Sequence, residues 1–533
     1  MKKALAIVMA LTLILGLFSG CNGFSGKPGG SATVSGTIDE NGKWKPDLSK
    51  TIDIELMEKG WVNTPTGGNE KDPYWKWLKD TFNINLKLTN TSEFETSITV
   101  RFASNSPPDI ISFADANTMR SLYKQGVLMD DWTPYLDKMP TVDKNIGELA
   151  RSVFTQDNKL IVLPGKEVTN NYGLRIRKDW LDKLNLDMPT DVESLIKVAR
   201  AFTTQDPDGN GKNDTYGFSS AGGGTSLGEI ANLLLMWGPN SFYVKDNKVA
   251  YQVIDGNLEK YLRFMKQIVD EGLIDPDWYI QGWEQRKGQM YKGAYGILWY
   301  TGALITEIEY NTGNTGKTAE QWVTLPMPKG SEEGGKLMKG DLASYITSVS
   351  AKAAADSEKL ARIIYLIESV TYPNEGFYKL RYGDGFDYTL VDAVIDGKET
   401  GYKYLSGEDK NKLHYRSDKG TLGSADYGTW IDVNTFNVIH NSFDKVTPAL
   451  LKQIELEEDI VNAETYDSIA GCLVLDAKTN ADATNIYNEY VIKYILEESN
   501  ESYASFQKRW LDGGGQKLLD QAEEQFKTYG YIK

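Results

Sequence analysis

Apolar and polar residues alternate over two short stretches near the beginning of the sequence, residues 52–56 and 84–88. This period of two predicts two β-strands, each with one buried face. Between them, residues 72–82 carry apolar side chains at helical spacing. A strand, a helix and a second strand in this order predict a parallel sheet.

The remaining apolar pattern predicts further elements of both kinds. Thr190 followed by Glu193 matches the capping box of a helix start. The predicted strands are 109–113 and 294–300, and the predicted helices are 190–202, 258–270, 357–370 and 484–529. No internal repeat is found in the sequence. The predicted fold class is therefore mixed α/β.

The first residues have the pattern of an export signal. Two lysines precede an apolar run, residues 4–18, that is too short for a membrane-spanning helix, which needs about 20 residues. The run leads into Phe-Ser-Gly-Cys, which resembles the bacterial lipobox, where signal peptidase cuts before a lipid-carrying cysteine; Phe18 stands where leucine is usual. We predict a signal peptide over residues 1–20 and lipidation of Cys21. The alternative is an ordinary secreted protein.

Residues 21–45 begin with a stretch rich in glycine and serine, which is typical of a flexible linker. We predict that this segment tethers a folded body to the extracellular face of the cell membrane. With Cys21 acylated, Cys472 is the remaining cysteine, so no intrachain disulfide can form.

The composition excludes several classes of function. The 533 residues carry a net charge of -16, which argues against a nucleic-acid partner because phosphate contacts need clustered cations. Two cysteines cannot build a disulfide scaffold, and two histidines leave little room for histidine-rich metal sites. The length favours two domains or one large two-lobed fold.

Residues 206–214 have the spacing of a calcium-binding loop. Oxygen-bearing side chains occupy loop positions 1, 3, 5 and 9, and a glycine at position 6 permits the sharp turn. The predicted ligands are the side chains of Asp206, Asp208, Asn210 and Asp214 and the main-chain carbonyl of Lys212. Position 12 is Gly217 instead of the bidentate glutamate of an EF-hand, so another group must complete the shell. The alternative is an acid-rich turn without an ion.

The placement of the aromatic residues, which include 13 Trp and 30 Tyr, is the second informative feature of the sequence. Several lie beside Gly, Pro, Asp or Asn and outside helical stripes: Trp61, Trp132, Trp237, Trp283, Trp299, Tyr300 and Trp430. Aromatic faces at strand ends suit stacking on a sugar ring, with Asp, Asn and Arg binding its hydroxyls. The alternative for each one alone is core packing. The tryptophans inside helical patterns are assigned to packing: Trp75, Trp77, Trp180 and Trp510.

With these motifs the chain resembles extracellular solute-binding protein family 1 (LplA-like), the oligosaccharide-binding lipoproteins of ABC sugar importers. The resemblance covers nearly the whole mature chain. It includes the lipobox, the Arg-Lys-Asp-Trp-Leu-Asp-Lys-Leu run at 177–184 and the Asp-Pro-Asp-Gly-Asn-Gly run at 206–211. In related alginate-type binding proteins this loop holds calcium with a further acidic ligand at its tenth position, which is Thr215 here.

The resemblance implies a two-lobed, periplasmic-binding-protein-like fold of type II that closes on a sugar by hinge motion. The implied segments are 46–165 and 300–350 for lobe 1, and 166–299 and 351–533 for lobe 2. The implied partners are an oligosaccharide, ABC transporter permease subunits and the membrane, and the implied state is a monomer. The candidate ligand-binding residues, chosen from loop position and chemistry, are Trp61, Asp115, Asn171, Trp237, Trp283, Trp299, Tyr300, Arg381 and Trp430.

Two other functions share parts of this pattern. A secreted glycoside hydrolase needs two carboxylates, about 5–5.5 Å apart in a retaining enzyme and 6.5–9.5 Å apart in an inverting one. No motif among the 74 acidic residues singles out such a pair, and no zinc motif or Walker loop is present in the sequence. We therefore predict a protein that is not an enzyme. A sugar-binding surface sensor without transport would share the fold and the cleft.

Overall fold

The computed structural model describes residues 32–59, 73–91, 93–113, 116–164, 172–301, 304–313, 318–338, 346–371, 374–382, 389–395, 397–406, 438–439, 465–466, 469–497 and 500–533. The predicted signal peptide and Cys21 lie outside these residues. Within the described residues, we find no helix with the length and apolar character needed to cross a bilayer.

The strands are β1 (Thr37–Ile38), β2 (Trp44–Lys45), β3 (Ile52–Lys59), β4 (Ile84–Thr91), β5 (Ile110–Phe113), β6 (Thr155–Gln156), β7 (Lys159–Leu160), β8 (Tyr172–Arg177), β9 (Tyr216–Phe218), β10 (Tyr243–Lys245), β11 (Lys248–Ala250), β12 (Tyr295–Thr301), β13 (Trp322–Leu325), β14 (Ile346–Val349), β15 (Thr389–Ile395), β16 (Lys398–Ser406) and β17 (Val438–Ile439).

The α-helices are α1 (Pro73–Phe82), α2 (Phe94–Ala103), α3 (Ala116–Lys124), α4 (Pro140–Asn145), α5 (Glu148–Phe154), α6 (Lys178–Lys183), α7 (Val192–Thr204), α8 (Asn257–Asp270), α9 (Trp283–Tyr291), α10 (Leu304–Thr312), α11 (Thr318–Gln321), α12 (Ala351–Ala354), α13 (Ser357–Val370), α14 (Glu375–Tyr382), α15 (Ala477–Leu496), α16 (Tyr503–Trp510) and α17 (Gln516–Thr528). Segments of 3₁₀ helix are Thr133–Lys138, Gly228–Met236 and Ile469–Cys472, and Leu511–Gly515 is a π-helical segment.

The first sheet has the strand order β14-β5-β3-β4. β3 runs parallel to β4 and β5, and β14 is antiparallel to β5. The β-α-β opening predicted from alternating residues is therefore confirmed. Ile54 and Leu56 on β3 pair with Leu86 and Leu88 on β4, and all four side chains are buried. Their alternation with polar neighbours is why this stretch forms a strand with one face in the core.

The second sheet has the order β13-β8-β12-β9. β12 is parallel to β9 and antiparallel to β8, which is also antiparallel to β13. Each sheet is covered by helices, so the mixed α/β architecture predicted from sequence is confirmed. The tryptophans Trp77, Trp180 and Trp510, assigned to packing, are all buried.

Strand pairing and helix packing depart from the predicted lobe segments in two places. β13 belongs to the second sheet although it falls within 300–350, which was predicted for lobe 1. Helix α13 falls within 351–533, predicted for lobe 2, but packs against β3 and α4 of the first sheet's body. Arg362 of α13 donates a 2.9 Å hydrogen bond to the carbonyl of Asn83, which fastens this helix there. Boundaries of this kind depend on contacts between distant residues, which local pattern does not carry.

Part of the segment predicted as a flexible tether, residues 21–45, belongs to the folded body. β1 and β2 pair as an antiparallel hairpin, with Ile38 opposite Trp44. The hydroxyl of Tyr135 donates a 2.7 Å hydrogen bond to the carbonyl of Ala32. The segment from Ala32 onward is therefore part of the body that contains the first sheet.

The predicted helix starts and ends differ from the structure at two positions. Helix α7 is capped by Asp191, whose carboxylate accepts a 2.8 Å hydrogen bond from the Ser194 amide, so the predicted Thr190 and Glu193 pair is not its capping box. The predicted helix over 484–529 is the succession α15, α16, the π-helical segment and α17.

Candidate ligand-binding site

Two parallel strands, β9 and β12, end at the same edge of the second sheet, with Phe218 paired to Ile297. In open α/β sheets, ligands bind beyond the carboxyl ends of the strands, where the loops are free to carry recognition groups. The glycine-rich loop 219–228 follows β9 at this edge. This edge is therefore where a ligand-binding site is expected in the second sheet.

Strand β12 is buried on both faces and carries two of those candidates. Trp299 lies in the main hydrophobic core with Ile297, whereas Tyr300 lies in a second cluster with Leu298. Successive strand residues point to opposite faces, so these two neighbours cannot line one surface together. The sequence predicts Trp299 and Tyr300 at a strand end, but it does not show which of the two lies on the same surface as Trp283.

Trp283 and Tyr300 form a stacked aromatic pair, which we call the Trp283–Tyr300 stack. Their ring centroids are 5.2 Å apart and the rings are inclined by 11°. Trp283 begins helix α9 after the N-cap Gly282, whose amide donates a 2.8 Å hydrogen bond to the side chain of Gln285. Tyr300 is buried and Trp283 is half-buried, so the indole is the accessible part of the stack.

Arg286, one turn after Trp283, lies against the stack and is 1% exposed. Its guanidinium carbon is 5.3 Å from the Trp283 ring centroid and 5.8 Å from that of Tyr300. Nη2 donates a 3.2 Å hydrogen bond to the carbonyl of Trp299. Burial lowers the pKa of Arg286, and the carboxylate of Glu229, 3.6 Å from Nη1, opposes that shift.

Glu307 on helix α10 ties the stack to neighbouring elements. Its carboxylate accepts hydrogen bonds of 2.6 Å from the hydroxyls of Tyr300 and Tyr291, and it lies 2.5 Å from the ammonium of Lys287. Burial raises the pKa of Glu307, but the hydrogen bonds from Lys287, Tyr291 and Tyr300 together hold it below its usual value. Burial and the bond to Glu307 raise the pKa of Tyr300, which keeps the phenol protonated as a donor.

The glycine-rich loop 219–228 is fixed by main-chain hydrogen bonds to the segment just before α9. The amide of Gly222 donates to the carbonyl of Trp278 at 3.0 Å, and that of Gly224 donates to Tyr279 at 2.7 Å. Gly224 has a φ of 75°, which glycine adopts without strain. The loop and the stack therefore form one rim of the second sheet.

Arg286, Glu307 and the loop 219–228 were not predicted from the sequence to be part of a site. The run of three glycines at 222–224 and the i, i+3 spacing of Trp283 and Arg286 were the available signals. Neither signal indicates a binding site unless it is known that both segments lie at the end of β12.

Trp237 lies in the main core and is 6% exposed. Its ring centroid is 6.3 Å from that of Tyr261 and 5.8 Å from that of Phe264. Ser331 donates a 2.8 Å hydrogen bond to its main-chain carbonyl. The described aromatic contacts of Trp237 are therefore with core residues, and the Trp283–Tyr300 stack is not among them.

The remaining candidates are not described at the level of side chains. Trp61, Asp115, Asn171 and Trp430 lie outside the described residues, and Arg381 lies in α14 with its side chain not described. In sequence, Trp61 follows β3 and Asp115 follows β5, and these strands are parallel neighbours. Both stay predictions for the carboxyl edge of the first sheet.

The predicted calcium loop is an exposed turn closed by its own amides. The Asp206 carboxylate accepts 3.1 Å hydrogen bonds from the amides of Gly209, Asn210 and Gly211. The side-chain amide of Asn210 donates to Asp208 at 2.7 Å and to Asp214 at 3.0 Å. The carboxylates of Asp208 and Asp214 therefore converge on the Asn210 side-chain amide, whereas that of Asp206 is bound by main-chain amides.

Other contacts of this loop bear on a metal ion. Lys183 donates a 2.9 Å hydrogen bond to the carbonyl of Pro207, which holds the loop to helix α6. The hydroxyl of Thr215, at the tenth loop position, donates to the carbonyl of Phe202 at 2.8 Å and so points out of the loop. Across the described part of the chain, no group of three or more His, Cys, Asp or Glu side chains is arranged to hold a metal ion.

The chain belongs to the family of bacterial extracellular solute-binding proteins, whose model matches residues 67–362, more than half of the 533 residues. The family resemblance stated from the sequence is confirmed.

Two curated relatives from Bacillus subtilis (strain 168) match most of the chain. The polygalacturonan/rhamnogalacturonan-binding protein YtcQ is 23% identical over 98% of this chain and 98% of its own length. Lipoprotein LipO is 23% identical over 87% of this chain and 91% of its own length.

Two solved structures resemble the fold. One is the Streptococcus pneumoniae ABC-transporter substrate-binding protein FusA, an EF-hand mutant in complex with fructo-nystose, with a TM-score of 0.63 and 17% identity over 90% of this chain and 100% of that chain. The other is the alginate-binding protein AlgQ2 without calcium ion, with a TM-score of 0.62 and 17% identity over 89% of this chain and 98% of that chain. The likeness confirms the two-lobed, periplasmic-binding-protein-like fold predicted from the sequence.

Proposed function

We propose that this protein is a lipid-anchored extracellular receptor that captures an oligosaccharide between its two lobes and delivers it to the permease of an ABC transporter. The observation that supports a sugar as the ligand is the Trp283–Tyr300 stack, because it offers an accessible indole at the carboxyl edge of β9 and β12. Apolar faces of sugar rings stack on such indoles. The names of YtcQ and FusA, which bind sugars, support the same class of ligand.

The proposed anchor is the lipid on Cys21, at the end of the predicted signal peptide. The relative LipO is named a lipoprotein, which supports this assignment. Ala32 is bound to the body through Tyr135, so at most residues 21–31 act as the proposed tether. An extended chain spans at most about 3.6 Å per residue, so Ala32 lies within about 40 Å of the membrane surface.

The proposed role is binding without chemical change to the sugar. The relatives named above are binding proteins, and the described rim offers an aromatic stack with a buried guanidinium. Glu307 is engaged by a lysine and two phenols and is thereby held ionised, which is unsuited to a general acid.

We also propose a structural calcium ion in the loop 206–214. The loop gathers Asp208 and Asp214 around the side-chain amide of Asn210, and rotation of that amide turns its oxygen toward these two carboxylates. An EF-hand mutant of FusA and a calcium-free form of AlgQ2 are among the proteins of similar fold, which supports a calcium loop here. Bound calcium would neutralise the loop and stiffen its junction with α7.

Calorimetry of the purified mature chain against a panel of plant-wall and storage oligosaccharides tests the main proposal. We expect saturable binding of at least one sugar, with the recovered sugar unchanged by mass spectrometry. Trp283→Ala should weaken that binding at least tenfold. Trp44→Ala removes another half-buried indole, in the β1–β2 hairpin, and should not change affinity.

Release of new reducing ends during incubation would replace the receptor proposal with a hydrolase. Binding of peptides alone, with every sugar failing, would contradict the aromatic argument.

A further inference from the structure

Arg286 is a buried cation with unused hydrogen-bond donors. It is 1% exposed, and within the described residues its Nε and Nη1 have no hydrogen-bond partner. Nη2 alone makes a described bond, to the carbonyl of Trp299. An unpaired buried donor is costly, so a structure that retains one calls for a specific explanation.

The charge of Arg286 is only partly balanced by its surroundings. The carboxylate of Glu229 is 3.6 Å from Nη1, but the same oxygen accepts a 2.9 Å hydrogen bond from the amide of Ala221. The adjacent cation, Lys287, is separately paired with Glu307 at 2.5 Å. A positive charge therefore remains beside the Trp283–Tyr300 stack.

This local charge contrasts with the molecule as a whole, whose net charge is -16. A strongly acidic protein repels anions at long range, and a buried cation acts more strongly at short range because little water screens it. The guanidinium also lies against the Trp283 ring, where it offsets the negative potential of the aromatic face. An indole in this position attracts a ligand that carries negative charge more than a plain indole does.

We propose that Arg286 is a specificity-determining residue that makes the site prefer oligosaccharides bearing carboxylate groups, that is, uronate sugars, over their uncharged counterparts. This inference rests on the proposed function and deepens it. Arg286 acts from beside the stack, through its electric field and its hydrogen bond to the Trp299 carbonyl, and Trp283 makes the contact with the sugar.

The experiment compares binding of one oligosaccharide with and without its carboxylate charges. Calorimetry measures the affinity of the mature protein for trigalacturonate and for its methyl ester, in which the same rings carry no charge. The variants are Arg286→Met, Arg286→Lys and Glu229→Gln. Arg200→Met is the matched control, because it removes an exposed arginine paired with Glu271 on the outer helices.

We expect the wild type to bind the acid at least tenfold more tightly than the ester. Arg286→Met should weaken binding of the acid at least tenfold and binding of the ester less than threefold. Arg286→Lys should keep most of the preference for the acid. Glu229→Gln removes the partial counter-charge and should tighten binding of the acid. Arg200→Met should leave the ratio of the two affinities unchanged.

Equal affinity of the wild type for acid and ester, or failure of both to bind, overturns the uronate preference. Tight binding of another, neutral sugar would then leave the proposed receptor function standing. Equal weakening of both ligands by Arg286→Met also overturns the inference, since it shows a purely structural role. If that variant does not fold, a Glu229→Gln protein with an unchanged or lower affinity for the acid contradicts it equally.

Discussion

The hydroxyl of Tyr300 donates a 2.6 Å hydrogen bond to the carboxylate of Glu307. This bond joins the end of β12 to helix α10, and it holds the ring on which Trp283 stacks. A half-buried carboxylate with three donors joins a strand end and two helices into one rigid rim.

Replacing the carboxylate of Glu307 should loosen that rim. Glu307→Gln keeps the shape but leaves Lys287 without its counter-charge and supplies only one carbonyl acceptor for two phenols. We expect a loss of about 1–3 kcal/mol in the free energy of unfolding and weaker sugar binding. Denaturant unfolding and calorimetry measure the two effects. Glu284→Gln is the control, because Glu284 lies 3.6 Å from the same lysine with its side chain 82% exposed; equal losses in both variants would contradict a special role for Glu307.

The first sheet should show acid sensitivity through Glu55. Arg101 binds both oxygens of Glu55, at 2.9 and 2.7 Å, and Lys87 and Thr89 bind one of them. Burial raises the pKa of Glu55, but these hydrogen bonds outweigh it and lower that pKa to about 2. A folded pKa below the unfolded one adds stability that is complete above about pH 5 and is lost as the pH falls toward 2.

We therefore expect Glu55→Gln to lose stability on the order of 2 kcal/mol at pH 7, with the difference from wild type vanishing near pH 2. Urea unfolding at a series of pH values measures it. Glu358→Gln removes an exposed carboxylate paired with Lys50 and should change stability by less than about 0.5 kcal/mol. A Glu55→Gln deficit that does not depend on pH would show that packing, and not ionisation, is the cause.

Arg362 should stabilise the body that contains the first sheet. It is 1% exposed, and it donates to the carbonyls of Phe82, Asn83, Asp47 and Lys50. Arg362→Met leaves these acceptors without their donor, so we expect a loss of about 2–4 kcal/mol. Denaturant unfolding measures it, and hydrogen exchange should show opening of the segment between β2 and β3.

Arg263→Met serves as the control for Arg362. Arg263 makes an i, i+4 pair with Glu259 and its side chain is 69% exposed. Its loss should cost less than about 0.5 kcal/mol. A similar cost for the two arginines would mean that the four carbonyl contacts contribute little.

Calcium should raise the melting temperature through the loop 206–214. Calcium that binds only the folded protein adds about 2.7 kcal/mol at 100 times its dissociation constant. Asp208→Ala should remove most of this gain in calcium and have little effect in chelator, as measured by thermal unfolding in both conditions. Asp187→Ala makes the same charge change at an exposed site and should keep the calcium response. Equal losses of Asp208→Ala in calcium and chelator would show that no ion is held.

Features that depend on neighbouring residues could be predicted from the sequence. Alternation over 52–56 and 84–88 identified β3 and β4, since a strand with one buried face requires a period of two. The acidic spacing of residues 206–214 identified a tight loop, and the amides of that loop do close on Asp206. The family was predicted from such local motifs together with the predicted export signal, and the family match confirms it.

What only the tertiary structure decided are relations between residues far apart in the chain. Trp299 and Tyr300 look equivalent in sequence, yet the pleat places one in the main core and the other against Trp283. Burial of Arg286 beside that stack depends on where α9 packs against β12, and no local pattern carries that information. The sheet that β13 joins and the surface on which α13 packs were likewise decided by strand pairing and by a buried guanidinium, because such contacts form only in the folded chain.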